Sequence, residues 1–512
     1  MTTKNQNLLR YGGVFLLFFC LFLLGQIVKV GFFDYDAYYH AKHSALMAAT
    51  GNIFLVDPWV DYHFLSYAPV DPYWLFHVLT AGLIRIFGTM LGVKIISAIT
   101  AASIFLCFYI ISKKLDLKKS FLFTVLFFIS SSSFLFRLLL ERPLVISISC
   151  SLLGLYFIIK KKYFSLGIIS TIYILLYNLA PILLFPVVAD LFIQKIYKQK
   201  LDLKPLIATL SGLTIGLLLH PHTLNYIILI YSHFIQIFWL KLRGVSLPSG
   251  MEIQVYNFTS FIKYNILALV SFVVTLAVYL SLRLDGKKKY ILDLLLILST
   301  TWFLLATVIP RAVEYWIPFG WLFIVSLYTH LFPHPKNQSA EKKIFFVILL
   351  IFFSFLPLYN LYKYINRENK SIDLKSYEEV NDFLIKNTDQ NTRIFYPMWS
   401  RFPKFFYGNT HNLYIAAFDP VFTYNYNPEF FWIYYHMVDS GLYCNTQKLC
   451  VNSLAPNKNK EAIHLAFKII LKTPIIIIEK NSQSPLLPIL VHDKINYEQI
   501  FENDIFLVFR LR

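Results

Sequence analysis

The sequence carries little charge. Only 15% of its 512 residues are Asp, Glu, Lys or Arg, against about a quarter in an ordinary soluble domain. A soluble globule has too little interior to hide the 57% that are hydrophobic, so a water-soluble enzyme and a disordered chain are both excluded. Five cysteines are too few for a disulfide-built scaffold. With only 18 glycines, the chain has no glycine-rich phosphate loop, and it has no internal repeat or low-complexity tract. Acids are the scarcer charge, 29 against 47 basic residues, which leaves a net +18. Taken alone, that excess would suit a nucleic-acid partner; its placement decides otherwise.

What is abundant is apolar sequence, with a mean hydropathy of +0.56, and aromatic residues: 49 Phe, 34 Tyr and 8 Trp. A helix needs roughly 20 apolar residues to cross a bilayer. Residues 11–31 follow Lys4 and Arg10, lack a small-residue cleavage site and read as an uncleaved anchor. Further spans are predicted at 91–112, 120–136, 144–159, 164–178, 180–195, 205–220, 259–282, 290–309, 313–331 and 343–364, about eleven in all. Residues 73–88 carry His77 and Arg85 at helical spacing and are predicted to lie at the interface as an amphipathic helix. With that choice the clusters Lys113–Lys114, Lys118–Lys119, Lys160–Lys162, Lys195/Lys198/Lys200/Lys204, Arg283/Lys287–Lys289 and Lys336/Lys342–Lys343 fall on one side. This is the positive-inside pattern: the N-terminus is expected in the cytoplasm of an integral cell-membrane protein, and nucleic acid is excluded as a partner.

The expected fold class is therefore mainly α, a polytopic membrane bundle spanning residues 1–366, with a C-terminal extracytoplasmic α/β domain at 367–512. In that second domain SYEEVNDFLIKN reads as helix, and RIFYP, TPIIIIEK and IFLVFRLR read as strands. The outer side holds residues 33–90, 137–143, 221–258 and everything after 365. Cys20, Cys107 and Cys150 lie in spans as packing. Cys444 and Cys450 bracket NTQKL in the outer domain, either as a disulfide in an oxidising compartment or as two free thiols.

Polar groups away from the lysine collar converge on the outer face. The first outer loop opens FFDYDAYYHAKHSAL. Asp34 and Asp36, two residues apart on what reads as a non-helical stretch, can face one hard cation, with His40 near; the bland alternative is a solvated loop. Asp57, Asp61, His63, Asp71 and His77 follow, interleaved with Trp59, Tyr62, Tyr67, Tyr73 and Trp74, a mixture that suits sugar stacking and equally an interfacial belt. Arg137, Glu141 and Arg142 stand at the boundary of two spans, and Glu252 follows a Pro-Ser-Gly turn. Arg311 can pair with a lipid phosphate or, locally, with Glu314 three residues on. His220 and His222 read as cap or packing. The aromatic stretch 412–441 can be a docking surface, a lid or plain packing. Span interiors are mostly clean Leu, Ile and Phe. That speaks for an enzyme with an outer cleft and against the alternative, a transporter or flippase of a lipid-linked envelope precursor, which needs ionisable groups at mid-membrane.

In this order of pieces the chain resembles the GT-C superfamily of membrane glycosyltransferases, and its first two-thirds is similar to the oligosaccharyltransferase catalytic subunit. The resemblance rests on the D-x-D-x-Y-Y-H motif after the first span, here Asp34, Asp36, Tyr38, Tyr39 and His40, and on an Arg seven residues before a Pro in a late span, here Arg311 and Pro318. It implies a polyprenyl-phosphate-linked sugar donor, membrane lipids around the bundle, and an acceptor that is protein, lipid or glycan. It implies catalytic roles for Asp34, Asp36, Glu141 and Glu252. Donor-phosphate binding falls to Arg311 and Arg142, and substrate contacts to Tyr38, Tyr39, His40, Trp59 and Glu314. It also implies a Mg or Mn ion held by Asp34 and Asp36. The tryptophan-tryptophan-aspartate signature of sequon recognition is absent; the nearest sequence, YPMWSRFPKFFYG, has no Asp beside Trp399.

Overall fold

A computed structural model describes residues 3–248, 250, 257–282, 287–332, 355–363, 365–366, 374–448, 450 and 456–512. The first half of the chain forms helices α1 (Thr3–Ile27), α2 (Tyr35–Thr50), α3 (Trp74–Phe87), α4 (Thr89–Lys114), α5 (Ser120–Ile129), α6 (Ser132–Leu139), α7 (Leu144–Ile159), α8 (Tyr163–Leu176), α9 (Leu184–Ile196) and α10 (Lys204–Leu219). Then come α11 (Phe258–Ser281), α12 (Lys287–Ala306) and α13 (Val313–Leu331). The remainder holds α14 (Leu374–Asn387), β1 (Arg393–Phe395), α15 (Phe402–Gly408), β2 (Leu413–Tyr414), α16 (Pro420–Tyr426), α17 (Pro428–Ser440), β3 (Ile475–Glu479), β4 (Tyr497–Glu502) and β5 (Phe506–Leu511). The chain divides into two compact units. One comprises Met1–Phe33, Pro72–Pro221 and Met251–Lys370; the other comprises Asp34–Asp71, His222–Gly250 and Ser371–Arg512.

Among the described residues, five helices are long and apolar enough to cross a membrane, or six if the bent pair α5–α6 is one span. The protein is an integral membrane protein. The larger number of full spans expected from the sequence is not confirmed among the described residues. α7 and α10 have 16 residues and α8 has 14, so even the longer two rise only about 24 Å. Their ends are set by local chemistry: a turn containing Pro181 follows α8, and His220-Pro221 ends α10, since Pro cannot continue the hydrogen-bond ladder. The expected span at 343–364 lies mostly outside the described residues. α3 is a 14-residue helix that buries Phe76, His77, Thr80, Ala81 and Ile84 and exposes Arg85, as an amphipathic helix should. Thr223–Leu242 also passes by length and apolarity, although the sequence places it in an outer segment. It belongs to the second unit and packs there through polar side chains, with Gln236 Nε2 donating to Asn425 at 2.6 Å and His233 beside Asp419 at 3.6 Å.

The predicted span 120–136 is broken. α5 and α6 meet at 85°, and the break falls on four consecutive serines. Ser131 caps α6 by accepting from Phe134 N, while Asn265 takes hydrogen bonds from Ser131 and Ser133 at 2.6 and 2.7 Å. Ser130 accepts from Trp321 Nε1 at 2.9 Å. Backbone that leaves a helix inside a bundle needs such partners. Around the break, Phe18, Phe105, Phe127 and Phe134 pack ring to ring. α8 and α10 approach closely because Gly212 has no side chain: a Cβ there would run into the Gly167 carbonyl. Thr171 then donates to the Gly212 carbonyl at 2.8 Å, small-residue packing of the membrane kind.

In the second unit the five strands form one sheet in the order β2-β1-β3-β5-β4. β2, β1 and β3 are parallel, and β5 pairs antiparallel with β3 and β4. β3 is IIIIE, with its isoleucines buried, as expected of a strand covered on both faces. Val60, from the first long loop, pairs in parallel with Tyr414 of β2. Asp61 binds Arg393 at 2.6 Å and Trp59 Nε1 donates to the Thr410 carbonyl at 2.8 Å. That loop is thereby an added edge of the C-terminal sheet.

Candidate functional site

In the second unit the motif DYDAYYHAKH is helical, which corrects the non-helical reading. Asp34 is the N-cap of α2, in extended conformation, and Asp36 sits in its first turn. Acids at a helix N-terminus are held by the positive end of its dipole, which is why the sequence starts a helix there. A Mg or Mn ion on Asp34 and Asp36 remains what the motif implies, and no step is routed through it. Asp36, His40 and His43, spaced four and three apart, share one face.

The motif tyrosines are core residues. Tyr39 is buried edge-on to Phe418 at 4.8 Å and lies beside Phe406. Tyr38 meets Tyr407 at 5.4 Å and lies under Lys404. His40 is buried, and Trp59 packs on Phe406 at 5.2 Å. These rings seat α2 on α15. His43, not singled out in the sequence reading, is fully buried with Nδ1 3.9 Å from Asp57 and Nε2 3.5 Å from Asp71. Its signal was spacing, one turn beyond His40 on the same face. Burial alone would lower its pKa, but the two carboxylates overcome this and raise it to about 10. An imidazolium thus clamps the loop carboxylates. The unfolded group titrates near 6.5, so this stabilisation is complete below that pH and is lost as pH rises through about 10. Thermal unfolding midpoints should fall between pH 7 and 10, and a His43→Gln variant should lose that slope; an unchanged slope in the variant would assign it to other groups.

In the first unit the charged groups expected at span ends pair over long sequence distances. Arg137 of α6 forms an ion pair with Glu314 of α13, Glu314 being fully buried. Glu314 thus has a distant partner as well as its sequence neighbour Arg311. Arg311, half-buried just before α13, donates to the Tyr177 hydroxyl. Tyr177 stacks on Tyr73 at 5.8 Å and 18°. Glu141 lies buried in the turn between α6 and α7, and both its oxygens accept from the Phe33 amide at 3.1–3.2 Å. Burial pushes its pKa up to about 8 against the pull of Phe33, Lys29 and Lys94. It ties the exit of α1 to the α6–α7 turn. Arg142 is half-buried in the same turn, where its amide donates to Leu140 O at 2.9 Å. Glu252 lies outside the described residues. Cys444 and Cys450 are joined by a disulfide in the loop after α17.

No protein-family model and no curated protein sequence matches the chain. Two solved structures match it over nearly their full length: ArnT from Cupriavidus metallidurans bound to undecaprenyl phosphate, and the same protein in the apo state. Each is 10% identical with a TM-score of 0.55, covering 99% of this chain and 98% of that one. At that identity the likeness is one of fold: this chain has the GT-C fold of ArnT, a helical membrane bundle with a small C-terminal sheet.

Proposed function

We propose that this chain is a membrane glycosyltransferase that moves a sugar from a polyprenyl-phosphate carrier to an acceptor on the outer face of the membrane. One observation carries the reading: the end-to-end match to a structure holding undecaprenyl phosphate. In the reaction an acceptor oxygen attacks the anomeric carbon, the bond from that carbon to the phosphate oxygen breaks, and the acceptor proton goes to a carboxylate. Arg311, steadied by Tyr177, neutralises the departing phosphate, which is stabilisation of charge where it develops. The motif acid Asp36, next to the N-cap Asp34, is assigned the proton, a role resting on the D-x-D-x-Y-Y-H motif, as does that of Glu252. Glu141 and Glu314 are assigned to holding the bundle around the phosphate site. The lysine collar supports a cytoplasmic N-terminus and outward-facing chemistry. The narrower likeness to oligosaccharyltransferases rests on the motif alone, and without the tryptophan-tryptophan-aspartate signature we propose an acceptor other than a protein sequon.

Cells lacking the protein should accumulate one polyprenyl-phosphate sugar. Wild-type chain should clear it and an Asp36→Ala chain, expressed to the same level, should not. No lipid-linked sugar accumulating, or full clearance by Asp36→Ala, would remove the donor class or the proton acceptor from the account.

A further inference from the structure

The second unit holds a cavity of about 480 Å³ that the transfer scheme leaves unused. Its size is that of small-ligand sites, roughly 300–1,000 Å³. Three strand ends build it: Tyr396 to Trp399 follow β1, Ala416 and Ala417 follow β2, and Glu479 closes β3 and leads into Ser482–Pro485. α17 supplies the facing wall, with Phe431, Tyr434 and Tyr435. The strand order explains why there is an opening here. The chain leaves β1 toward β2 on one side, then returns to lay β3 on the other. Connections diverge between β1 and β3, and a crevice opens at the carboxyl ends of those strands, where open α/β sheets take their ligands.

The lining selects a chemical class. Among the described residues the lining carries two charged side chains, Asp439 and Glu479, and Glu479 is paired with Arg401. Asp439 leaves the lining net acidic, which disfavours phosphates and carboxylates. Around the two acids stand aromatic faces, and the hydroxyl and amide groups of Thr423, Ser482, Gln483 and Ser484. Glu479 is held in place: Tyr396 and Arg401 both bind its Oε1, and Oε2 takes no hydrogen bond among the described residues. Ser484 Oγ is shut from solvent and has no hydrogen-bond partner among the described residues, a deficit that a ligand hydroxyl would make good. A pinned carboxylate oxygen beside flat rings suits a pyranose, with its C–H face on the aromatic and its hydroxyls on the acid.

We propose that this cavity binds a neutral sugar unit, and that this unit belongs to the acceptor; only the second half rests on the transferase reading. The test uses the purified full-length chain in detergent, with cellobiose and maltose as probes, and glucuronic acid and inorganic phosphate as anionic controls, read by saturation-transfer NMR and calorimetry. At least one neutral disaccharide should bind saturably at millimolar concentration and the anions should not. Tyr435 is half-exposed and Gln483 exposed, so Tyr435→Ala and Gln483→Ala should fold. Each should weaken binding fivefold or more. No saturable binding of either disaccharide, preference for the anions, or binding unmoved by both variants would overturn the site. Sugar transfer from a lipid donor without disaccharide binding rejects this pocket and leaves the transferase reading standing. Disaccharide binding without any transfer keeps the sugar site and rejects its acceptor role.

Discussion

Replacing Arg311 with alanine is expected to lower sugar transfer by roughly a hundredfold or more, with the protein still folded. The size follows from the role. A charge-assisted bond to a departing phosphate in a site shielded from water is worth about 3–4 kcal/mol in the transition state, and each 1.36 kcal/mol is about tenfold. Arg311 stands just before α13, half-buried and anchored on the Tyr177 hydroxyl. Arg311→Lys keeps the charge and loses the planar fork, so it should recover only part of the rate. Tyr177→Phe, which removes the anchor and leaves the charge, should fall between wild type and alanine. The measurement is transfer from a polyprenyl-phosphate sugar by purified variants of matched thermal stability. An alanine variant within twofold of wild type would take the phosphate role away from Arg311.

Removing one partner of the Arg137–Glu314 pair should do a different kind of damage. The carboxylate is 1% exposed and the guanidinium 12%. Breaking a buried ion pair by removing one partner costs about 3–5 kcal/mol. Glu314→Ala is therefore expected to cut thermal stability sharply in detergent, and Arg137→Ala nearly as much. Removing both charges together, with Arg137→Met and Glu314→Leu, leaves no orphan charge and should return stability to within about 1–2 kcal/mol of wild type. Single variants as stable as the parent would show that the pair is not the buried clamp between α6 and α13 described above.

The same pair shows where reading the sequence stops. Arg137 and Glu314 lie 177 residues apart, and no spacing rule links them; local spacing pointed only to Arg311, three residues from Glu314. Local patterns did locate much of the second unit. SYEEVNDFLIKN falls within α14, RIFYP covers β1, TPIIIIEK covers β3 and IFLVFRLR covers β5, because each writes its period and its burial into a short window. β4, YEQIFE, is one-third charged and lies at the sheet edge, so it lacks that signature. β2 is two residues long. The membrane character was legible from composition. The break in the span at 120–136 was not, because four serines can pass for apolar filler until neighbouring side chains turn the backbone through 85°. For the site, the acids of α2 were found and their setting was missed: Asp at an N-cap is a helix-start signal, overlooked in favour of a loop. The cavity at the strand ends was invisible, since it is assembled from segments after three separate strands.

The central claim is donor chemistry. Purified chain in lipid nanodiscs should be incubated with radiolabelled sugar on undecaprenyl phosphate, one sugar at a time, together with a crude envelope extract as acceptor source. The account predicts time-dependent loss of label from the lipid, its appearance in acceptor material, and release of unlabelled undecaprenyl phosphate, all reduced at least a hundredfold in Arg311→Ala. Label that stays on the lipid but moves across the bilayer from one leaflet to the other would contradict it, and would make the chain a carrier of lipid-linked sugars instead of a transferase.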